Sequence, residues 1–364
     1  MFQATSDTPR ASGSRIPLIA ERRAVLIALV LGGMVTACDT PAPTSSPLRV
    51  PPDIRAVAAP TTTIDLGSLG GGITLATALG KMGYVTGGST PSAGSDFHAF
   101  LWSASTGMRD LGTLGTGAIG LAVNGKGEVA GVNYPSPSGL PRAFFWSQKT
   151  GMIDIGVMPG GTTSTAKGIN DAGTVVGWSD NSQGGLRPFA WTLAGGMKDL
   201  GDLGGGGGGA SAINSVGSIV GWSNRTDGSS GATRWVPGRP PKDLGQPGVS
   251  SQAVAINDLG FIVGEINLWV NGLYSRHAMY WRESTGMVDI GTLGGRESGA
   301  GAVNNAGTIF GYSDFTGGTG WHAFEWNAAT GMKDIFPATG FSWVSGVLDR
   351  SVVAYTNTIV RLSK

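Results

Sequence analysis

Residues 164–201 read STAKGINDAGTVVGWSDNSQGGLRPFAWTLAGGMKDLG. Ser164 to Asn170 is a short run, and Asp171-Ala172-Gly173 turns the chain. Thr174 to Trp178 is a second, β-branched run, and after a polar loop Arg187 to Trp191 is a third. Gly195-Gly196 turns again into Met197-Lys-Asp-Leu-Gly201. Short β-branched and aromatic runs between Gly, Asn and Asp turns are hairpin strands. Nothing in the body of the chain carries a helical period.

The same four-run unit recurs along the chain. The Asp of Asp-Leu/Ile-Gly falls at Asp65, Asp110, Asp154, Asp199, Asp243, Asp289 and Asp334, about 45 residues apart. A tryptophan keeps step at Trp102, Trp146, Trp191, Trp235, Trp281 and Trp326, and so does an asparagine at Asn124, Asn170, Asn214, Asn257 and Asn304. Four strands per unit of this length is the blade of a β-propeller. The body opens with a lone fourth-type strand, Thr61 to Gly67, and closes with three strands over 342–349, 351–355 and 358–362 that lack a fourth. The expectation is an all-β, seven-bladed β-propeller over 61–364, with the N-terminal strand completing the last blade and leaving no open edge. A β-solenoid is the alternative, and it would not need that closure.

Composition agrees with a folded repeat domain. Gly contributes 63 of 364 residues without a Gly-X-Y period, and charged residues are only 13%. The net charge of +1, with no basic run in the body, speaks against nucleic-acid binding.

The N-terminal segment has a different character. Arg10, Arg15, Arg22 and Arg23 precede the apolar stretch Ala24 to Ala37, which is too short to span a bilayer of roughly 30 Å. A basic region, an apolar core and small residues at its end describe a signal peptide over 1–37. Val35-Thr36-Ala37-Cys38 resembles a bacterial lipobox, which implies lipidation of Cys38, the only cysteine. A plain signal peptide with an incidental cysteine is the alternative. Residues 38–60 hold six prolines and read as a semi-rigid tether. The expected location is the bacterial cell envelope, periplasmic or cell-surface, exported and lipid-anchored.

The segments His98-Ala-Phe-Leu-Trp102, Gly107-Met-Arg-Asp-Leu-Gly-Thr-Leu-Gly115 and Ala253-Val-Ala-Ile-Asn-Asp-Leu-Gly-Phe-Ile-Val-Gly264 resemble the HAF family of extracellular repeats. The resemblance covers roughly 61–335. It implies export and a repeat fold, and no activity.

Candidate chemistry is sparse. His98, His277 and His322 each stand four residues before a repeat tryptophan, where Arg142, Arg187 and Gly231 stand in other units. Ligands in one repeat slot do not converge within the roughly 2 Å that a metal demands, so no metal and no cofactor are expected. Hairpin pairing instead puts this slot diagonal to the repeat Asp, predicting an Asp–His or Asp–Arg latch in each unit. The Asn-x-x-Gly segments read as turns rather than calcium loops. The run Gly204–Gly209 reads as a slack loop, with an anion nest as the alternative.

Within each unit the first-to-second and third-to-fourth turns are short, and the other two connections vary. Tyr134, Trp178, Trp222, Trp269, Tyr274, Tyr312 and Trp321 gather toward that variable face, where function concentrates. Trp178, Trp222 and Tyr312 share one repeat position and equally suit packing between blades. The expectation is a non-enzymatic binding or scaffold module, taken as a monomer, with a glycan or an envelope protein as partner and the membrane reached through the lipid anchor. A carbohydrate-active hydrolase or lyase is the alternative. It would need two repeat-breaking acids from among Glu265, Glu283, Glu297 and Glu325 to lie close together.

Overall fold

The computed structural model describes residues 62–335, 344–348, 351–354 and 358–361, apart from 136–138, 271 and 317–319. Residues 1–61, and with them the signal-peptide, Cys38 and tether readings, lie outside the described residues. Among the described residues no helix is long and apolar enough to cross a membrane.

The protein is all-β, built from four-stranded antiparallel sheets laid down one after another. Sheet 1 pairs Thr74–Leu79, Val85–Ser89, His98–Ser103 and Gly107–Gly112 in chain order. Sheet 2 takes Gly117–Val123, Val129–Tyr134, Arg142–Ser147 and Gly151–Asp154. Sheet 3 takes Ser164–Ile169, Val175–Asp180, Leu186–Thr192 and Gly196–Asp199. Sheet 4 takes Gly204–Ile213, Ile219–Arg225, Ser230–Trp235 and Lys242–Asp243. Sheet 5 takes Ser251–Ile256, Ile262–Val270, Leu273–Arg282 and Gly286–Asp289. Sheet 6 takes Gly294–Val303, Ile309–Phe315, His322–Asn327 and Gly331–Asp334. In sheet 7, Val344–Leu348, Ser351–Ala354 and Thr358–Arg361 are joined by Thr62–Asp65, with Thr62 opposite Arg361 and Asp65 opposite Thr358.

One register feature explains a recurring glycine. Each first strand carries a bulge at Thr77, Leu121, Lys167, Ser211, Val254, Gly301 or Ser345. Two residues before the bulge, a first-strand carbonyl lies close against the second strand. A Cβ on Gly177 would stand 2.0 Å from Thr165 O, and one on Gly264 2.0 Å from Gln252 O. This is why Val-Gly or its equivalent recurs in the second strands.

The core lies between successive sheets. Phe100, Phe144, Phe189 and Phe324 are fully buried, and in every sheet with a repeat tryptophan except sheet 4 that tryptophan lies opposite a fourth-strand methionine, as in Trp102 opposite Met108 and Trp191 opposite Met197. The repeat Asp anchors the fourth strand twice. Its carboxylate accepts the amide two residues on, as in Gly112 N to Asp110 at 2.7 Å, which fixes the Asp-Leu-Gly turn.

The same carboxylate closes the expected latch. His98 Nδ1 meets Asp110 at 2.9 Å, Arg142 meets Asp154 at 3.3 Å, and Arg187 meets Asp199 at 2.9 Å. His277 meets Asp289 at 2.9 Å, and His322 meets Asp334 at 2.5 Å. Sheet 4 solves the problem differently, because its slot is Gly231. Arg225, from the second strand, reaches Asp243 at 2.5 Å, and a Cβ on Gly231 would stand 2.8 Å from that guanidinium.

The repeat asparagine does more than turn the chain. Its Oδ1 accepts amides of its own turn, as from Leu259 and Phe261 to Asn257. Its Nδ2 donates to the backbone carbonyl of the equivalent asparagine in the next sheet. Asn124 reaches Asn170 O at 2.9 Å, Asn170 reaches Asn214 O at 3.3 Å, Asn214 reaches Asn257 O at 3.1 Å, and Asn257 reaches Asn304 O at 2.9 Å. Sheet 1 has Gly80 in this slot, where a Cβ would strike Val123 O at 2.5 Å. Its neighbour Lys81 instead reaches Asp258 of sheet 5 at 3.0 Å and Asp171 of sheet 3 at 3.8 Å.

The run Gly204–Gly209 is not a slack loop. It begins the ten-residue first strand of sheet 4. The second strand lies close to much of it: a Cβ on Gly205 would be 2.5 Å from Arg225 O, and one on Gly207 2.7 Å from Asn224 Nδ2, while Gly206 between them takes a positive φ of 76°.

Candidate functional site

The middle hairpin of sheet 5 departs from the repeat. Its strands run nine and ten residues and carry the tip beyond Trp269 and Tyr274, which face each other across the pair. In a strand, alternate residues share a face. Glu265, Asn267 and Trp269 therefore share a face with their partners Ala278, Arg276 and Tyr274. At the tip Trp269 is 52% exposed, Leu273 54% and Tyr274 43%, unusual values for large apolar groups. The Trp269 and Tyr274 rings meet edge to face at 6.2 Å.

From this tip a continuous strip runs onto sheet 6. Arg276 places one terminal nitrogen 3.6 Å from Glu265 Oε2 and the other 3.6 Å from Glu297 Oε2. Its guanidinium carbon lies 6.0 Å from the centre of the Tyr312 ring, and Tyr312 meets Trp321 edge to face at 5.1 Å. Buried Glu265 accepts from Tyr312 Oη at 2.5 Å and from Gln252 Nε2 at 2.8 Å. Gly299 makes the room, since a Cβ there would stand 2.3 Å from Glu265 Oε1.

The electrostatics follow from burial and these partners. Burial, reinforced by the Glu265 carboxylate, pushes the Tyr312 hydroxyl far up, so it stays a donor. Burial also raises Tyr274. For Arg276 burial works downward, but Glu265, Tyr312 and Glu297 outweigh it and hold the cation firmly charged. The ion-pair distances of 3.6 Å are too long for hydrogen bonds, and Arg276 Nε is buried without a partner. Among the described residues the fork therefore has no hydrogen-bond acceptor, and it lies between two carboxylates and beside four aromatic rings.

The other expected residues lie elsewhere. Trp178 and Trp222 sit within second strands, half-buried, and converge on Gly209, whose Cβ would be 3.5 Å from Trp178 Cδ1 and 3.0 Å from Trp222 Nε1. Sheets 3 and 4 thus pack there through indoles, at the register position that sheets 5 and 6 fill with Glu265 and Tyr312. Tyr134 ends the second strand of sheet 2, and burial pushes its hydroxyl up to about 12. The three histidines stay apart, each on its own Asp, and among the described residues no group of three or more His, Cys, Asp or Glu could hold a metal. Arg276 and the closeness of Glu265 to Glu297 escaped the sequence reading. For Arg276 the signal was the period-two spacing Tyr274-x-Arg276 opposite Glu265-x-x-x-Trp269 in one hairpin; for Glu297, which comes from the next sheet, there was none.

The fold and site define an all-β protein of repeated four-stranded antiparallel sheets with a polar–aromatic strip on the connection face. No family model matches the chain, and no curated protein matches it. Among solved structures the chain is similar to a puromycin-hydrolyzing peptidase of Mycobacterium tuberculosis, at 12% identity and a TM-score of 0.47, covering 82% of this chain and 53% of that one. It is similar to TolB from Acinetobacter baumannii at 10% identity and a TM-score of 0.44, covering 77% of this chain but only 64%, under two thirds, of TolB. It is also similar to the six-bladed β-propeller lectin of Aleuria aurantia, at 12% identity and a TM-score of 0.38, covering 68% of this chain and 89% of that one.

Proposed function

We propose that this chain is an exported, lipid-anchored binding module that holds a neutral glycan against the sheet 5–sheet 6 strip. The observation that carries the reading is the unspent Arg276 guanidinium between Glu265 and Glu297, flanked by Trp269, Tyr274, Tyr312 and Trp321. A pyranose offers what this strip lacks: hydroxyl oxygens for the guanidinium, hydroxyl protons for the carboxylates, and an apolar face for an exposed ring. The two carboxylates outnumber the one cation, which disfavours acidic sugars. Trp269, Tyr274 and Trp321 are the ligand contacts in this reading, and Trp178, Trp222 and Tyr134 support the scaffold.

The scaffold in this reading is a closed seven-bladed propeller. Support comes from the pairing of Thr62–Asp65 with Thr358–Arg361, and from the contacts of Val344–Leu348 with the first strands of both sheet 6 and sheet 1. Export and the anchor at Cys38 rest on the lipobox and on the HAF-like repeat. Incorporation of a labelled fatty acid, lost in Cys38→Ala, tests the anchor.

A hydrolase reading draws support from Glu265 and Glu297 sharing one arginine. Glu265 is buried and already engaged by Tyr312 and Gln252, so binding is preferred. The test is titration of the full chain against neutral and acidic oligosaccharides, with Arg276→Met and the triple variant W269A/Y274A/W321A. The expected result is binding of a neutral glycan that weakens at least about tenfold in either variant, equivalent to about 1.4 kcal/mol. Silence across the panel, or binding indifferent to both variants, refutes the reading. Release of new reducing ends would favour the hydrolase.

A further inference from the structure

A second charged feature lies at the opposite ends of the strands, between the third-to-fourth turns of sheets 4 and 5. In most sheets this turn is short and rich in Ser, Thr and Gly, but in sheet 4 it is Val236-Pro-Gly-Arg-Pro-Pro241. The prolines cannot donate to the ladder, which cuts the fourth strand to Lys242–Asp243 and opens a cleft of about 360 Å³. Arg234, Arg239, Lys242 and Glu283 line it with Val236 and Pro240. Three cations around one carboxylate is a concentration of charge that stands out in a chain with 13% charged residues.

The geometry shows where an anion would sit. Glu283 extends its carboxylate into the cleft, 2.5 Å from Lys242 Nζ and 3.7 Å from Arg234 Nη1. Both cations are braced: Arg234 Nε donates to Ser218 Oγ at 2.7 Å, and Lys242 lies 4.9 Å from the centre of the Trp281 ring. Arg239 has no ion-pair partner among the described residues. Glu283 is 69% exposed on its turn, so it leaves the cleft without disturbing the core.

We propose that this cleft is a binding site for a phosphate monoester or diester, with Glu283 as a built-in competitor for the same cations. Lys242 and Arg234 converge on the Glu283 carboxylate and Arg239 adds a third cation to the lining, a set that suits the several oxygens of a tetrahedral anion, and arginine forks favour phosphate. Val236 and Pro240 offer an apolar wall for the organic part. A soluble phosphate ester and a phospholipid headgroup share this chemistry, and the experiment separates them.

The full chain is titrated calorimetrically with phenyl phosphate at low salt, and its co-sedimentation with vesicles of phosphatidylglycerol in phosphatidylcholine is measured. Removing the competitor in Glu283→Gln should tighten phenyl phosphate binding by up to about tenfold, the size of two exposed ion pairs. Arg234→Met/Lys242→Met should abolish it. Vesicle binding that rises in Glu283→Gln and is blocked by phenyl phosphate assigns the cleft to a headgroup, and phenyl phosphate binding without vesicle binding assigns it to a soluble ester. Unchanged or weaker affinity in Glu283→Gln, or no phosphate binding by either wild type or Glu283→Gln, overturns the proposal. Unfolding midpoints without ligand establish that each variant keeps its fold.

Discussion

Replacing Asn257 tests whether the repeat asparagine is only a turn residue or also a clasp between sheets. Its side chain makes three hydrogen bonds. Oδ1 accepts from Leu259 N at 3.0 Å and Phe261 N at 2.9 Å, and Nδ2 donates to Asn304 O at 2.9 Å. Asn257→Ala removes all three at a buried position, and at about 1 kcal/mol each the loss is about 3 kcal/mol. Asn257→Asp keeps both acceptor bonds and deletes only the donor, setting a carboxylate against a carbonyl, which should cost about 2 kcal/mol. Guanidinium unfolding followed by tryptophan fluorescence measures both. The expected order is wild type, then Asn257→Asp, then Asn257→Ala, with the Asp variant nearer Ala than wild type. If Asn257→Asp unfolds within about 0.5 kcal/mol of wild type, a difference typical of a surface substitution, the clasp contributes nothing and the residue is a turn residue alone.

Gly231→Ala should destabilise sheet 4 by about 1–3 kcal/mol, because the new methyl meets the Arg225 and Asp243 pair at under 3 Å; the same unfolding assay reads it, and a neutral outcome would mean the guanidinium has room to retreat. Lys167 gives a pH signature. Burial pushes its ammonium down to about 8 from 10.5, so the unfolded chain binds the extra proton between those values and stability should rise with pH across that window. Lys167→Met should lose that rise, measured as the difference between the two stability curves. Above pH 10 both proteins should weaken alike, as unfolding releases the raised hydroxyls of Tyr134 and Tyr312 to ionise.

The repeat Asp, the His/Arg slot and the repeat Trp are legible for a physical reason. Each does a job set by its own sheet: the Asp caps its Asp-Leu-Gly turn, the His or Arg closes on that Asp in five sheets, and the Trp lies opposite a Met in all but sheet 4. Hairpin pairing fixes such contacts at a short separation along the chain, so spacing reveals them. Gly231 was also visible as a gap in the His/Arg slot, but its replacement by Arg225 was not, because that arginine arrives from another strand. The glycine run 204–209 misled for a related reason. Glycine reads as slack where nothing else constrains it, whereas here the close approach of the second strand at Gly205 and Gly207 and the positive φ of Gly206 demand it.

Sequence alone thus determined the strand content, the four-strand unit, its period and the offset of the first strand, since all four follow from local alternation, turn chemistry and repetition. It also determined that the histidines belong to latches, because a repeat slot recurs once per sheet. Only the tertiary structure decided what happens between sheets. The asparagine clasp, the convergence of Trp178 and Trp222 on Gly209, the reach of Lys81 to Asp258, and the gathering of Glu265, Arg276, Glu297 and Tyr312 all join residues from different sheets. Those contacts depend on how one sheet is rotated and set against the next. That placement is a property of packed surfaces, and no spacing along the chain encodes it.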